Sequence, residues 1–149
     1  MFREQVGEYE TEFIEFLEKD YSWSVQNGHK TKMILIPGNP GLIKFYDCFL
    51  DEVHRLQKRE VEILGVSHAN HFLSKKSSYV YDLEQQVEHK KQVLRREIKK
   101  EEQRGVVVDL VLVGHSIGCY MILEALKDAT ILNRVKHCIL LFPTVERMK

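Results

Sequence analysis

The chain has 149 residues, one ordinary domain by length and enough to bury a substantial core. Its 22 lysines and arginines are balanced by 22 aspartates and glutamates, so no net charge draws it toward nucleic acid or an anionic membrane. Three well-separated cysteines, Cys48, Cys119 and Cys138, form neither a zinc motif nor a disulfide framework and read as reduced, mostly buried thiols of a cytosolic protein. Met1 to Glu12 lacks the basic-then-apolar layout of a secretory leader, and nowhere do about 18 apolar residues run together as a membrane span.

In chain order, Glu8 to Glu15 alternates in a way that fits an edge strand or a poor helix. Tyr21 to Val25 reads as a second short strand, and Asn27-Gly28 as a turn. Met33 to Ile36 is a fully apolar strand that ends in the turn cluster Pro37-Gly38-Asn39-Pro40-Gly41. Leu42 to Arg59 places Phe45, Phe49, Val53 and Leu56 at helical spacing. Val61 to Val66 is a second buried strand, and 67–78 a polar loop. Residues 79–104 form a long amphipathic helix with Val80, Leu83, Val87, Leu94 and Ile98 on its apolar stripe, closed by Gly105. Val106 to Val113 is the most strand-like run in the chain. A helix over Ile117 to Ala129 follows, then a buried strand over Val135 to Phe142. Strands that are continuous apolar runs and alternate with helices predict an α/β domain, a mostly parallel sheet covered on both faces with right-handed crossovers.

The chemistry centres on Gly114-His115-Ser116-Ile117-Gly118. A Gly-x-Ser-x-Gly elbow between strand and helix is the nucleophile turn of α/β-hydrolases: the strained serine lifts its hydroxyl clear of the sheet, and side chains at the two glycines would collide with neighbouring backbone. The bare pattern arises by chance in roughly one chain of this size in twenty. The preceding strand and following helix are what raise it above a serine that merely caps a helix. Ser116 is therefore the candidate nucleophile. The helix N-terminus beneath it favours a developing oxyanion. In this fold a loop after an earlier strand donates one backbone N–H to the oxyanion, and the residue after the nucleophile donates the other. Pro37 and Pro40 have no N–H, which leaves Gly38, Asn39 and Gly41; Asn39 and Ile117 are the natural pair. His115, next to the nucleophile, is expected to pack against the neighbouring loop. His68 and His71 are expected in a loop that shapes the pocket floor, with metal ligation the lesser reading. His89 is expected on a solvated helix face or in a hydrogen bond between helices.

These residues resemble the lipid droplet-associated hydrolases. The matching segments are Ile34 to Gly41 with Phe45-Tyr46, Ser67-His68-Ala69 with His71, Gln86 with Glu88-His89-Lys90, Leu112 to Gly118, and Leu140 to Met148. Asn70 stands where the resemblance leads one to expect glycine. The resemblance implies the α/β-hydrolase fold, Ser116 as nucleophile and hydrolysis of droplet esters such as cholesteryl esters or triacylglycerols. It implies a lipid ester substrate and lipid droplet and endoplasmic reticulum localisation; no cofactor or metal is expected, and the balanced charge predicts no nucleic-acid partner. It further implies that the family continues beyond the strand at 135–142, which makes residues 1–149 the N-terminal portion of a single hydrolase domain.

The residues point the same way, because the triad order is serine, then acid, then histidine. After Ser116 the acids are Glu124, Asp128 and Glu146 and the one histidine is His137. Glu124 and Asp128 belong to a helix running away from the site, His137 opens the next strand at its far end, and no histidine follows Glu146. The strand at 135–142 is then expected as an exposed apolar sheet edge. Lys75, Lys76, Arg95, Arg96, Lys99 and Lys100 are offset by acids and read as solvated surface. The sequence supports three readings: a lipid-ester serine hydrolase present as an incomplete chain, a non-catalytic hydrolase-like interaction module, and a hydrolase of small acyl or thioester substrates.

Overall fold

The computed structural model describes residues 1–72 and 79–145. Seven strands form one sheet: β1 (Phe2–Val6), β2 (Tyr9–Phe16), β3 (Val25–Gln26), β4 (His29–Ile36), β5 (Glu62–Val66), β6 (Val107–His115) and β7 (Val135–Leu141). The order across it is β1-β2-β5-β4-β6-β7, with β3 paired to β4. Strands β5, β4, β6 and β7 are mutually parallel, while β1, β2 and β3 join antiparallel. The helices are α1 (Tyr21–Ser24), α2 (Asp47–Leu56, preceded by a 3₁₀ turn at Ile43–Tyr46), α3 (Leu83–Glu102), α4 (Ile117–Ala125) and α5 (Ala129–Leu132).

The apolar strands alternate between two cores, as their pleat requires. Ile34, Ile36, Leu64, Val108, Leu110 and Leu112 face α3, α4 and α5, whereas Met33, Leu35, Ile63 and Val113 face α2 and the 3₁₀ turn. The expected parallel sheet with helices on both faces is therefore present.

Several local expectations are corrected. The segment at Glu8–Glu15 is an inner strand between β1 and β5, not an edge, because the hairpin Phe2–Phe16 adds β1 outside it. Tyr21–Ser24 is a helical turn, started by Asp20, whose carboxylate accepts from the Ser22 backbone N–H at 2.9 Å. On the segment 42–56 the core face is Ile43, Leu50 and Val53, whereas Phe45, Phe49 and Leu56 are exposed. The long helix starts at Leu83, capped by Asp82 in a reciprocal box with Gln85, so Val80 precedes it and is 78% exposed. The helix after Ser116 breaks at Leu126, and Asp128 caps a separate α5 through the Thr130 N–H at 2.8 Å. Strand β7, read from its apolar run as buried, is largely exposed as the outer strand of the sheet, which agrees with its expected place as an exposed apolar edge. Cys48 and Cys138 are exposed and only Cys119 is buried.

The end of the sheet opposite the strands' C-termini holds a buried ionic cluster. Lys30 and Lys32 of β4 bond Glu62 of β5, and Lys32 also bonds Glu97 of α3 at 2.6 Å. Glu18 and Glu101 complete the set around Lys30, at 2.8 and 3.8 Å. Burial pushes Lys32 down, but Glu97 and Glu62 outweigh it and hold its ammonium above the ordinary range. Burial likewise pushes Glu62 up, and Lys32 and Lys30 outweigh it, holding the carboxyl at about 2. A depressed carboxyl contributes stability above its unfolded value, lost as pH falls through the folded one. Folding should therefore lose about 3 kcal/mol from this group between about pH 4.5 and 2. Glu62→Gln removes the carboxylate shared by two buried lysines, leaving Glu97 on Lys32 and Glu18 and Glu101 on Lys30, and should cost about 3 kcal/mol near neutrality. Denaturant titrations should show the gap between native protein and variant closing as the pH approaches 2.

Candidate active site

Ile36 pairs with Gly114, so β4 and β6 end side by side and their following loops meet. Ser116 sits between β6 and α4 with φ 52° and ψ −120°, a conformation a residue bearing a Cβ rarely adopts. Its neighbours lock it there: Ser116 N–H donates to the Leu141 carbonyl at 3.0 Å, and its own carbonyl accepts from Thr144 and Cys119 at 3.2 and 3.1 Å. A Cβ on Gly114 would come within 2.9 Å of the Cys119 backbone, and one on Gly118 would run into the carbonyl oxygens of Ile36 and Pro37. Both elbow glycines thus stand where no side chain fits.

The loop 37–41 lies against this elbow, and a Cβ on Gly38 would be 2.9 Å from that of Ser116. Tyr46 ties the two together: its hydroxyl accepts from the Gly38 N–H at 3.1 Å and lies 2.8 Å from His115 Nδ1. His115 therefore packs on the neighbouring loop and is committed there. Gly41 N–H donates to the Gly38 carbonyl at 2.7 Å. With Gly38 and Gly41 spent, Asn39 holds the one loop N–H, of the three weighed from the sequence, without a partner among the described residues. Asn39, Ser116 and Ile117 line one cavity of about 490 Å³, with Thr144, Gln86, His68, His71 and the apolar Val80, Leu83 and Met121.

Sequence reasoning placed His68 and His71 at this pocket without seeing how they are held. Lys90 Nζ donates to the Ser67 carbonyl at 2.9 Å, and the Gln86 amide clamps Ala69 from both sides, at 2.8 and 3.1 Å. Asn70 has φ 62°, the left-handed region that glycine takes freely and that asparagine tolerates better than most residues, which accounts for asparagine at this position. His89 is fully buried, not solvated, and its Nε2 lies 2.7 Å from Thr11 Oγ1 of β2. Burial, with a smaller contribution from Lys90, lowers His89 and keeps its imidazole neutral; burial likewise depresses Lys90 itself. Among the described residues no group of three or more His, Cys, Asp or Glu side chains is gathered as a metal site.

The Ser116 hydroxyl meets Thr144 Oγ1 at 3.2 Å. Glu124 bonds Lys127 and Asp128 bonds Arg95, both away from the site. His137 pairs with Val111, about 13 Å down β7 from the Leu141–His115 level at roughly 3.3 Å per residue. Glu146, Lys75 and Lys76 lie outside the described residues.

The sheet order and strand-elbow-helix site define an α/β-hydrolase fold. A monoglyceride lipase from Saccharomyces cerevisiae superposes with a TM-score of 0.73 at 15% identity, over 97% of this chain and 45% of the lipase. A serine hydrolase homologue from Coxiella burnetii gives 0.64 at 19% identity, over 97% and 62%. Within that class the chain belongs to the lipid droplet-associated hydrolase family, whose profile matches residues 29–149. It is 36% identical to the Gallus gallus lipid droplet-associated hydrolase over 144 residues, 89% of this chain and 41% of the relative. The Homo sapiens relative is 36% identical over 134 residues, 80% and 39% of the two chains. The chain thus spans about two-fifths of the length of these relatives.

Gly118→Ala should cost about 3 kcal/mol, because the new methyl meets backbone that has nowhere to go. Gly28→Ala, where an added Cβ meets nothing within 4 Å, should cost about 1 kcal/mol from its positive φ alone. Thermal melts of the two variants should separate them clearly.

Proposed function

We propose that the chain carries the nucleophile and oxyanion half of a serine hydrolase of lipid esters, of the cholesteryl ester or triacylglycerol class. One observation carries this reading: Ser116, held at φ 52° between two glycines, lines one cavity with Asn39 and Ile117. In the proposed chemistry Ser116 Oγ attacks the ester carbonyl, and the N–H groups of Asn39 and Ile117 stabilise the oxyanion. The alcohol then leaves and an acyl-serine remains for water. Each oxyanion donor of this kind supplies about 10²–10³-fold in rate. The names of the relatives support a lipid droplet as the site of action; the endoplasmic reticulum is proposed as a second location on the resemblance alone. Among the described residues no helix is long and apolar enough to cross a membrane, so surface attachment fits this part of the chain.

A second reading has its own support. Thr144, not an imidazole, is the hydrogen-bond partner of Ser116 Oγ. Without a base, residual catalysis is about 10³–10⁴-fold over water, near inactivity for an enzyme. In that reading the chain is a hydrolase-like interaction module of lipid storage.

A fluorophosphonate probe decides between them. On the hydrolase reading, folded chain is labelled slowly at Ser116, Ser116→Ala abolishes the label, and a chain extended to the length of the relatives is labelled orders of magnitude faster. Folded protein that stays unlabelled at both lengths overturns the hydrolase reading.

A further inference from the structure

Four consecutive residues at the end of β7 meet every polar group of Ser116. The Leu141 carbonyl accepts from the Ser116 N–H at 3.0 Å, and the Thr144 N–H donates to the Ser116 carbonyl at 3.2 Å. The side chains meet as well: Thr144 Oγ1 lies 3.2 Å from Ser116 Oγ. Thr144 also lines the cavity, together with Asn39, Ser116 and Ile117.

The chain reaches this arrangement through a strained turn. Phe142 has φ 46°, which a bulky residue adopts only where its surroundings impose it, and Pro143 follows. The Phe142 ring gains little burial there: it is 84% exposed, with an edge-on contact to His115. What the turn secures is the return of Thr144 to the elbow. A serine hydroxyl has three staggered positions, and on an open elbow little besides a hydrogen bond separates them. Threonine is suited to select one. Its branched Cβ restricts its own χ1, and its N–H bond to the Ser116 carbonyl fixes its backbone. Its hydroxyl both donates and accepts, so one bond to Ser116 Oγ leaves the serine's remaining hydrogen-bonding capacity for another group.

We infer that Thr144 is a positioning residue for the nucleophile: its hydroxyl holds the Ser116 side chain in one rotamer, with Oγ presented to the cavity that Asn39 and Ile117 share. The inference rests on the reading of Ser116 as nucleophile and adds a residue that neither the elbow nor the oxyanion loop marks. The working part is the hydroxyl of Thr144, not its methyl group or its backbone.

Two readouts separate this role from a merely structural tie. Thr144→Val removes the hydroxyl and keeps the side-chain volume and the backbone N–H, whereas Thr144→Ser keeps the hydroxyl. Three-bond NMR couplings from the backbone nitrogen and carbonyl carbon to the Ser116 β-protons report its χ1 without any chemistry. They should show one rotamer in the native chain and in Thr144→Ser, and averaging in Thr144→Val. Fluorophosphonate labelling at saturating probe should slow about tenfold in Thr144→Val, the scale of one lost hydrogen bond, with the half-saturating concentration unmoved. Thr144→Ser should label within about threefold of the native rate. Averaged couplings in the native chain overturn the inference, as does an unchanged rotamer or an unslowed label in Thr144→Val. Thr144→Ala takes the place of that variant should it fail to fold. A rotamer that depends on the hydroxyl, in protein unlabelled at both chain lengths, retains Thr144 as the residue that holds Ser116 and removes the hydrolase reading. Labelling with a rotamer indifferent to Thr144 does the reverse.

Discussion

The closeness of α4 to the end of β4 is the constraint on which the site depends. Gly118 leaves no room for a side chain against the Ile36 and Pro37 carbonyls, and Gly38 leaves none against Ser116. Parallel pairing of β4 with β6, in a register that sets Ile36 opposite Gly114, puts both strand ends at one level. Only then can a loop from the first strand reach a serine on the turn after the second. The serine's left-handed backbone costs on the order of 1–3 kcal/mol. It is held by bonds to Leu141, Thr144 and Cys119, that is, by β7, by the segment after it, and by α4. Strain at one residue is thus offset by contacts from three elements, which is why the geometry persists in a turn only five residues long.

The two ends of the sheet treat buried charge in opposite ways. At the base, Lys30 and Lys32 stay ammonium ions because Glu62 and Glu97 are bonded to them. Near the site, Lys90 is equally buried but meets a carbonyl and an imidazole, and burial drives it toward the neutral amine. Residue type does not decide the outcome; the presence of a carboxylate within bonding distance does. One consequence is a base rich in fixed charge, while at the cavity burial holds the His68 imidazole neutral.

Much of this was legible from residue pattern. The apolar runs at 33–36, 61–66 and 106–113 announced the parallel strands, and Gly114-His115-Ser116-Ile117-Gly118 announced the elbow, because both depend on local residue size and backbone freedom. What stayed hidden depends on partners distant in sequence. Phe45, Phe49 and Leu56 have helical spacing yet face outward, since the strand surface they would need to meet is taken by Ile43 and Leu50. His89 sits among charged residues of a long helix yet is buried, because Thr11, 78 positions away, receives it. Glu97 and Glu101, off the apolar stripe of the long helix, are buried against Lys32 and Lys30 for the same reason. Tyr46 had no motif, and its role in joining Gly38 to His115 emerges only once the two loops meet.

The commitment of His115 sharpens what the elbow can do. With Nδ1 held at Tyr46, the histidine closest in sequence to Ser116 serves the architecture of the loop, and His137 stands several residues down an outer strand. His68 and His71 lie in the cavity, but His71 Nδ1 is held at the Pro40 carbonyl and His68 is pressed against Gly41. The residues that fix the serine's position and those that would activate it are therefore separable: position follows from β4, β6 and their loops, whereas activation needs an imidazole free at both nitrogens to bond an acid and the serine at once. Among the described residues the partner of Ser116 Oγ is the Thr144 hydroxyl and not an imidazole, so what this part of the chain builds is the serine's position.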